Sequence, residues 1–424
     1  MHSSLTRTAW AIALLGCTNP PGATVDSSSA PIGIGADEQP TLLDQGASAR
    51  LSDVITAAEV GRTFGVDDNH IPYPDTYWPF VKDGIDDRWH DEASPLEKYM
   101  VVTDPGHVEA AQKWEKLNHG RQLADVESWW GHCPGWTAAA ISNAPVLHAV
   151  HVKFDGAGEA GSCQPGSPGC VKFEIGDINA LMAEVYVDAP SRFLGSRCDV
   201  KPADIVRYPS GRVRTSGCKG LNAGSLLIVL ADLLKRQQRA IAIDAQTAWS
   251  TEQIWNQPAY RYQVYGYQPI SSQEEAAHLV SGGVDNRYFW NNNAKGFVRV
   301  QIGIKFVVEQ GPNASVVSGA SSTREMFIDA VLELDARADD PNATIIGGEY
   351  LNSDRGDRLT VPPFVWLPEG PGAEDLEVEM ASSSSHNPFV KPSLVRRLVE
   401  LGHVAELDEA SDPVAVEDNG EESG

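Results

Sequence analysis

The sequence predicts an α+β fold in which a helix that begins at a cysteine packs against buried strands. The stretch SWWGHCPGWT, residues 128–137, places Cys133 directly before a run of small residues, as at the start of a buried helix. Two apolar runs, at 226–230 and 240–244, are separated by a polar turn, which is typical of a hairpin of buried strands. Farther on, residues 297–308 alternate apolar and polar side chains like a long antiparallel strand.

The N-terminus predicts export. A basic residue and a short apolar segment lead into the motif LLGC, which is typical of a bacterial lipoprotein signal. We therefore predict a signal peptide over residues 1–16, lipid attached to Cys17, and a flexible tether over 17–50 that is rich in Ser, Pro, Gly and Ala. Thr18 favours the outer membrane or the cell surface as the destination. Secretion after an ordinary signal cleavage is the alternative.

One folded domain and a tail account for the rest of the chain. Residues 51–403 form the predicted domain, and the acidic stretch 404–424 is predicted to be disordered. Within the domain, periodicity and capping residues predict helices at 55–60, 108–117, 178–186 (capped by Asp177) and 394–401, and strands at 148–154, 171–174 and 326–334. Residues 345–350 and 363–368 are predicted to be strands or turns.

Composition excludes several classes of function. The 424-residue chain is 42% hydrophobic, enough for a substantial core, and carries a formal charge of −25. It has no basic stripe to meet nucleic-acid phosphates and no internal apolar run of membrane-spanning length. Phosphate-binding loops, dinucleotide fingerprints and zinc-finger spacings are absent from the sequence as well. We therefore predict no nucleic-acid partner, and membrane contact only through a lipid anchor.

Cys133 is the predicted nucleophile. A thiol attacks carbonyl groups as its thiolate, which the partial positive charge of a helix N-terminus stabilises. Gly131 and Gly135 beside it are expected to let the backbone turn tightly and approach a substrate. A buried structural cysteine and half of a disulfide are the alternatives.

The six cysteines can be apportioned on this basis. Export permits disulfides, and with Cys17 lipidated and Cys133 free, four cysteines remain, which admit three pairings. We predict the most local one, Cys163–Cys170 and Cys198–Cys218. A free thiol at a helix start, facing two strands that carry a base and an orienting carboxylate, is how papain-like enzymes are built.

Five motifs occur in order along the chain: IPYPDTYWP at 71–79, WWGHCPGW at 129–136, NAG at 222–224, IWNQP at 254–258 and IGGE at 346–349. Together they resemble the secreted transglutaminase elicitor family, which is best known from oomycete plant pathogens and has bacterial members. The fourth resembles the surface peptide that plants recognise in oomycete members; here we interpret it as a structural turn.

The resemblance implies a papain-like cysteine protease/transglutaminase core and calcium-stimulated acyl transfer from protein glutamine to amines. By position, Cys133 would be the nucleophile and Asp244 the orienting carboxylate. The family's Phe-His pair corresponds to Leu226-Leu227, so the base histidine is interpreted as replaced by Leu227, with His132, His148 and His151 as possible substitutes. No calcium ligands are indicated, because paired acids such as those at 67–68 and 339–340 are typical of solvated surfaces.

Three functions follow. The first is a transglutaminase that forms an acyl-enzyme on Cys133, takes a protein or peptide glutamine as donor and passes the acyl group to an amine acceptor; water in place of the amine would make it a thiol hydrolase. The second is a catalytically impaired homologue that serves as a surface binding module. The third is a cysteine peptidase.

Overall fold

A computed structural model describes most of the predicted domain. The described residues are 46–90, 92–154, 160–187, 189–195, 200–207, 213–215, 218–245, 253–351, 361–369 and 385–404. The predicted signal peptide, Cys17, almost all of the tether, Cys198 and nearly all of the acidic tail lie outside them. No helix in the described ranges has the length and apolar character needed to cross a bilayer.

An eight-stranded antiparallel sheet forms the centre of the molecule. Its strand order is β10-β9-β8-β7-β6-β11-β5, with β1 paired to β7; a second, three-stranded sheet has the order β3-β2-β4. The strands are β1 (Thr63–Gly65), β2 (Val150–Phe154), β3 (Ala160–Ser162), β4 (Val171–Phe173), β5 (Ser191–Gly195), β6 (Ile241–Asp244), β7 (Asn256–Ile270), β8 (Gly296–Val307), β9 (Thr323–Leu334), β10 (Ile345–Tyr350) and β11 (Phe364–Pro368).

Helices surround the central sheet. They are α1 (Leu51–Val54), α2 (Pro95–Thr103), α3 (Val108–Asn118), α4 (Cys133–Ser142), α5 (Ile175–Tyr186), α6 (Ala223–Leu230), α7 (Gln273–Ser281) and α8 (Pro392–His403). The mixture of helices and antiparallel strands confirms the predicted α+β class, and α4 begins at Cys133 as predicted.

Most predicted elements are confirmed, but two are shifted. Residues 55–60 do not form one helix: α1 ends at Val54, and a single 3₁₀ turn, Ala57–Glu59, follows it. Helix α5 begins three residues before the predicted start, because Glu174 rather than Asp177 is its cap and Asp177 completes the capping box from inside the helix.

The predicted strand at 226–230 is wrong. This run lies in α6, which continues as a π-helical segment, Ala231–Arg236. The Asn222 side chain caps α6 by accepting hydrogen bonds from the backbone N–H groups of Gly224 and Ser225. A short, wholly apolar run has the same pattern in a buried helix and a buried strand, so periodicity could not separate the two. Strand β6 is correct, but its partners are β7 and β11.

Alternation along β6 and β11 sends side chains to opposite faces of the sheet. On one face, Ile241, Ile243, Val365 and Leu367 pack with the apolar side chains of α6. On the other, Ala242, Phe364 and Trp366 pack with Cys133. The helix that begins at Cys133 and the helix that contains Leu227 therefore lie on opposite faces of the sheet.

Helix α4 packs very closely on α5. A Cβ atom at Gly135 would lie 1.8 Å from the carbonyl oxygen of Ala183. Gly135 was expected to let the backbone approach a substrate, and the structure corrects this: the neighbour that it approaches is α5.

Replacing Gly135 by alanine is expected to destabilise the fold by about 1–3 kcal/mol, because α4 and α5 must separate to admit one methyl group. Urea unfolding of the purified chain measures the change. Gly161→Ala is the matched control, since nothing lies within 4 Å of a Cβ built there. Equal midpoints for the two variants would contradict the packing argument.

Candidate active site

The turn that leads into Cys133 is held by the aromatic segment at 71–80. Phe80 N–H donates to the Trp130 carbonyl at 2.9 Å, and His132 N–H donates to the Tyr77 carbonyl at 2.6 Å. Gly131 forms an isolated β-bridge with Pro79. A Cβ at Gly131 would lie 2.2 Å from the Tyr77 oxygen, so this turn requires glycine for close backbone approach.

Cys133 is fully buried at the start of α4. Its exposed fraction is 0%, and His132 is the residue before the first helical position. The surrounding cluster is mostly aromatic: Phe80, Trp129, Trp130, Phe193, Phe364 and Trp366. A sulfur in this position has the helix N-terminus on one side and an apolar wall on the other.

The side-chain amide of Asn256 reaches the sulfur. Asn256 Nδ2 donates a hydrogen bond to Cys133 Sγ at 3.9 Å. Asn256 Oδ1 accepts a hydrogen bond from Trp366 Nε1 at 2.8 Å, and its carbonyl accepts one from the Thr137 hydroxyl at 2.9 Å. These two bonds fix the orientation of the amide. Sequence analysis missed this residue, although the IWNQP motif contains it, because the motif was interpreted as a turn.

Asp244 lies beside Asn256. The two residues are directly opposed in the β6–β7 register, and the Asp244 carboxylate accepts a hydrogen bond from Trp255 N–H at 3.0 Å. Alternation along β6 places Asp244 on the same face as Ala242, the face that packs against Cys133. The structure therefore brings Asp244 close to the residue that contacts the predicted nucleophile.

The oxidation state of Cys133 corrects one expectation. The predicted Cys163–Cys170 disulfide is confirmed, with a Cα–Cα distance of 5.9 Å. Cys133 and Cys218 are each in a disulfide bond as well, and no described cysteine is a free thiol. The expectation of an unpaired Cys133 thiol is therefore wrong, because pairing depends on which sulfurs meet in space and not on a count along the chain. The predicted Cys198–Cys218 pairing stays a prediction, since Cys198 lies outside the described residues.

The proposed substitutes for a base histidine lie elsewhere. His132 directs Nε2 at Glu115 and Glu184, at 3.3 and 3.4 Å. His148 lies two residues before β2 and His151 is the second residue of that strand, which packs against α2 and α8. Leu227 is a core residue on the opposite face of the sheet from Cys133, so its interpretation as the residue that replaces the base is corrected.

Two of the family motifs are structural. Gly224 in α6 lies against β10 so closely that a Cβ there would be 2.6 Å from the Gly347 carbonyl oxygen. The NAG and IGGE motifs therefore pack against each other, and they hold α6 on the sheet.

Calcium ligands are not evident at the paired acids. Asp68 forms an ion pair with Arg261 at 2.7 Å, and Asp339 forms one with Arg337 at 3.0 Å. In the described part of the chain, the group of side chains with the spacing of metal ligands is Glu115, His119, His132 and Glu184. Calcium prefers six to eight oxygen ligands, so this mixed nitrogen and oxygen set does not fit it.

Asp75, in the segment that supports the turn, is a buried carboxyl group. Burial raises its pKa from 3.8 to about 7, although hydrogen bonds from Thr76 N–H and the Trp78 indole oppose the shift. Since the folded-state pKa is above the unfolded one, the carboxyl contributes stability below pH 3.8 that is lost as the pH rises to about 7.

We expect Asp75→Asn to remove this pH dependence. In the wild type, this carboxyl lowers the free energy of unfolding by up to about 1.4 kcal/mol for each pH unit of increase between its unfolded and folded pKa values. Urea unfolding at several pH values between 4 and 8 measures both proteins, and the difference between the curves isolates this group. Parallel curves would show that Asp75 ionises as readily in the folded chain as in the unfolded one.

Comparisons with known proteins identify a family profile and a similar fold. The sequence profile described as transglutaminase elicitor matches residues 109–383. The crystal structure of the GP42 transglutaminase from Phytophthora sojae matches with a TM-score of 0.57 and 21% identity, over 82% of this chain and 94% of that one. At this identity the likeness shows the fold. No curated protein matches the chain.

Proposed function

The chain belongs to the transglutaminase elicitor family, and from that premise we propose that it transfers glutamine acyl groups to primary amines through a thioester on Cys133. The observation that carries the proposal is the Asn256 amide, which donates to Cys133 Sγ at the N-terminus of α4. An amide donor and a helix N-terminus are the groups that stabilise an oxyanion formed at this sulfur.

Acylation is the first step. The Cys133 thiolate attacks the carboxamide carbon of a glutamine side chain, and the carbonyl oxygen becomes an oxyanion. Asn256 Nδ2–H and a backbone N–H at the start of α4 donate to that oxygen. When the intermediate collapses, the carbon–nitrogen bond breaks, the leaving nitrogen takes up the proton that the Cys133 thiol gave up, and ammonia departs while a thioester remains.

Deacylation is the second step. A primary amine attacks the thioester, the carbon–sulfur bond breaks, and the sulfur takes up the proton that the amine nitrogen loses, so that the thiol is restored while an isopeptide bond forms. The aromatic side chains around Cys133 exclude water from this thioester. Hydrolysis is therefore a side reaction in this proposal and not the main one.

Asp244 acts as a positioning residue in this proposal. Its carboxylate accepts from Trp255 N–H and lies opposite Asn256 in the strand register. It therefore fixes the backbone that presents the Asn256 amide to the sulfur. The packing of α4, which begins at Cys133, against β6 and β7 also supports a papain-like arrangement of the core.

Activity requires reduction of Cys133. In the disulfide-bonded and fully buried state, the sulfur can neither ionise nor meet a substrate. A thiol reductant must first exchange with the bridge and leave Cys133 as a thiol. The aromatic cover must then open to admit the glutamine side chain.

The disulfide bond and the burial of Cys133 also favour a second candidate function. If the bridge and the cover are permanent, the protein is a catalytically impaired family member that serves as a surface binding module. The two candidates differ in one measurable property, the reactivity of Cys133 after mild reduction.

The experiment combines the purified chain with a glutamine-containing protein and a labelled primary amine, with and without a thiol reductant and with and without calcium. The proposal expects label incorporation and equimolar ammonia release in the reduced samples only. A reduced protein that transfers no label, and whose Cys133 does not react with an alkylating agent, would establish the binding-module alternative. Cleavage of peptide bonds in the acceptor protein would instead indicate a peptidase.

We also propose that the protein is exported and that lipid on Cys17 holds the form in which Cys133 is reduced, because a sulfur that carries lipid cannot also form a disulfide. The Cys163–Cys170 disulfide supports an oxidising compartment. Metabolic labelling with a fatty acid, lost in Cys17→Ala, tests the anchor.

A further inference from the structure

Four polar side chains meet in the interior beside the candidate active site. Glu115 lies in the last turn of α3, His119 follows that helix, His132 precedes Cys133, and Glu184 lies in the last turn of α5. All four have an exposed fraction of 0%, and one ligand atom from each lies within 4.8 Å of the others. Buried ionisable groups of this kind need compensation, since each costs several kcal/mol to remove from water.

Their separations are longer than those of charge-assisted hydrogen bonds. His119 Nδ1 lies 3.6 Å from Glu115 Oε2 and 3.5 Å from Glu184 Oε2, while His132 Nε2 lies 3.3 and 3.4 Å from the same two carboxylates. A charge-assisted N–H to O bond measures about 2.7–2.9 Å. A tetrahedral site with metal–ligand distances of about 2.0–2.2 Å separates its ligand atoms by about 3.3–3.6 Å. The four distances lie in this range, and the two to Glu115 run to different oxygens of its carboxylate.

Two of the atoms that face the centre lack hydrogen-bond partners, whereas His132 Nε2 lies within hydrogen-bond distance of Glu115 Oε1 at 3.3 Å. Glu184 Oε2 and His119 Nδ1 are buried and have no partner within the described structure. The outward ring nitrogens, His119 Nε2 and His132 Nδ1, have none either. A buried polar atom without a hydrogen-bond partner is explained by a bound water molecule or ion. A cation at the centre would contact all of the inward-facing atoms.

Charge balance favours a single divalent cation. Two carboxylates and two neutral imidazoles carry a charge of −2, which one divalent ion neutralises. Without a cation, neutrality requires two added protons, and placing both on the imidazoles gives two positive rings whose centroids are 4.7 Å apart. Like charges at that distance repel each other in a buried site.

Neighbouring groups orient the carboxylates as in a metal site. The backbone N–H of Asn387 donates to Glu184 Oε1, which leaves Oε2 directed at the cluster. Asn387 Nδ2 donates to Glu115 Oε2 at 3.0 Å, and Ile85 N–H donates to Oε1 of the same residue at 3.3 Å. Outer groups of this kind fix the ligand geometry in metalloproteins.

Gly84 keeps one side of the cluster open. A Cβ there would lie 2.6 Å from Glu115 Oε1 and 3.0 Å from His132 Nε2. The backbone at this position therefore gives the cluster space that any other residue would fill.

We propose that Glu115, His119, His132 and Glu184 bind one divalent transition-metal ion, zinc by preference. Two imidazole nitrogens and two carboxylate oxygens in tetrahedral spacing suit zinc, whereas calcium and magnesium prefer all-oxygen sites. All four ligands come from the protein, as in closed, structural zinc sites. The ion links α3 and α5 to His132 and holds the residue that precedes Cys133. Metal binding itself does not depend on the proposed catalytic role.

The test measures metal directly. The full chain, purified from medium supplemented with zinc and dialysed without chelator, is analysed for bound metals by mass spectrometry. We expect about one zinc per chain, retained in excess calcium. Cobalt(II) reconstitution of the wild type is expected to give the intense visible absorption of a tetrahedral site.

Glu184→Gln is the informative variant, because it keeps the Oε1 acceptor for Asn387 N–H and removes one charged ligand. We expect its zinc content to fall at least tenfold, and its thermal unfolding midpoint to become insensitive to a chelator that lowers that of the wild type. Glu333→Gln is the matched control: Glu333 is also buried, but it accepts hydrogen bonds from Tyr288 and Asn291 away from the cluster.

Folded wild-type chain without stoichiometric transition metal would overturn the proposal. So would full zinc occupancy in Glu184→Gln, or an octahedral cobalt spectrum in the wild type. The wild-type metal content and spectrum decide the question even if a variant fails to fold.

Discussion

Amine incorporation by the reduced protein is expected to fall to background when Cys133 is replaced by alanine, a loss of at least about 10³-fold. The proposed thioester needs a sulfur at the N-terminus of α4, and no neighbouring side chain can replace it. The measurement is the initial rate of labelled-amine transfer to a glutamine-containing protein under reducing conditions. Mass spectrometry of the wild type with donor alone is expected to detect the acyl-enzyme at Cys133.

A second cysteine substitution controls for the loss of a disulfide. Removing the confirmed bridge with Cys163→Ala and Cys170→Ala opens a short surface loop, at a cost of up to about 2.5 kcal/mol by the loop-entropy estimate. This double variant is expected to keep wild-type incorporation at temperatures where it is folded. Activity that survives in Cys133→Ala, or disappears equally in both proteins, would place the chemistry at another residue.

Replacing Asn256 by alanine is expected to lower kcat by about 10²–10³, with a small change in KM. The amide donates to Cys133 Sγ in the resting structure, and in the proposed mechanism it donates to the oxyanion that exists only during reaction. A group that acts on the transition state alone changes kcat more than substrate binding. Steady-state kinetics of the reduced protein separate the two parameters.

Trp366→Phe is the matched test of how Asn256 is positioned. It removes the indole N–H that donates to Asn256 Oδ1 at 2.8 Å but keeps an aromatic ring in the wall. We expect a smaller loss of kcat than in Asn256→Ala, because the amide remains and only its orientation is loosened. If Asn256→Ala raises KM and leaves kcat unchanged, the amide binds substrate and does not stabilise an oxyanion.

Stability must be measured beside these rates. Asn256 is 2% exposed, and its removal leaves the Trp366 N–H without its acceptor, at a cost of about 1–3 kcal/mol. Kinetics are therefore compared at a temperature where thermal unfolding shows both proteins to be fully folded.

Local pattern predicted most elements of this chain well. Capping residues and periodicity placed α3, α4, α8 and the long strand β8 within one or two residues of their observed bounds. They failed at 226–230, where every side chain is apolar, because a run without polar positions shows neither the helical nor the strand period.

Cysteine pairing shows the limit of counting. The Cys163–Cys170 bridge was predictable because the turn-rich span of six residues between the two cysteines brings their sulfurs together. The oxidation of Cys133 was not, because it depends on which sulfurs meet in the folded chain. Elimination along the sequence therefore assigned Cys133 the wrong state.

The α+β class, the helix that begins at Cys133 and the family were all predictable from the amino-acid sequence, because they depend on local propensity and on motifs that are read in order. The contact between the Cys133 sulfur and Asn256, 123 residues away, became evident in the folded chain alone. The same holds for the two histidines and two glutamates that two helices and the turn before Cys133 bring together. Backbone preferences act over a few residues, whereas burial and pairing of polar groups depend on surfaces that the fold brings into contact.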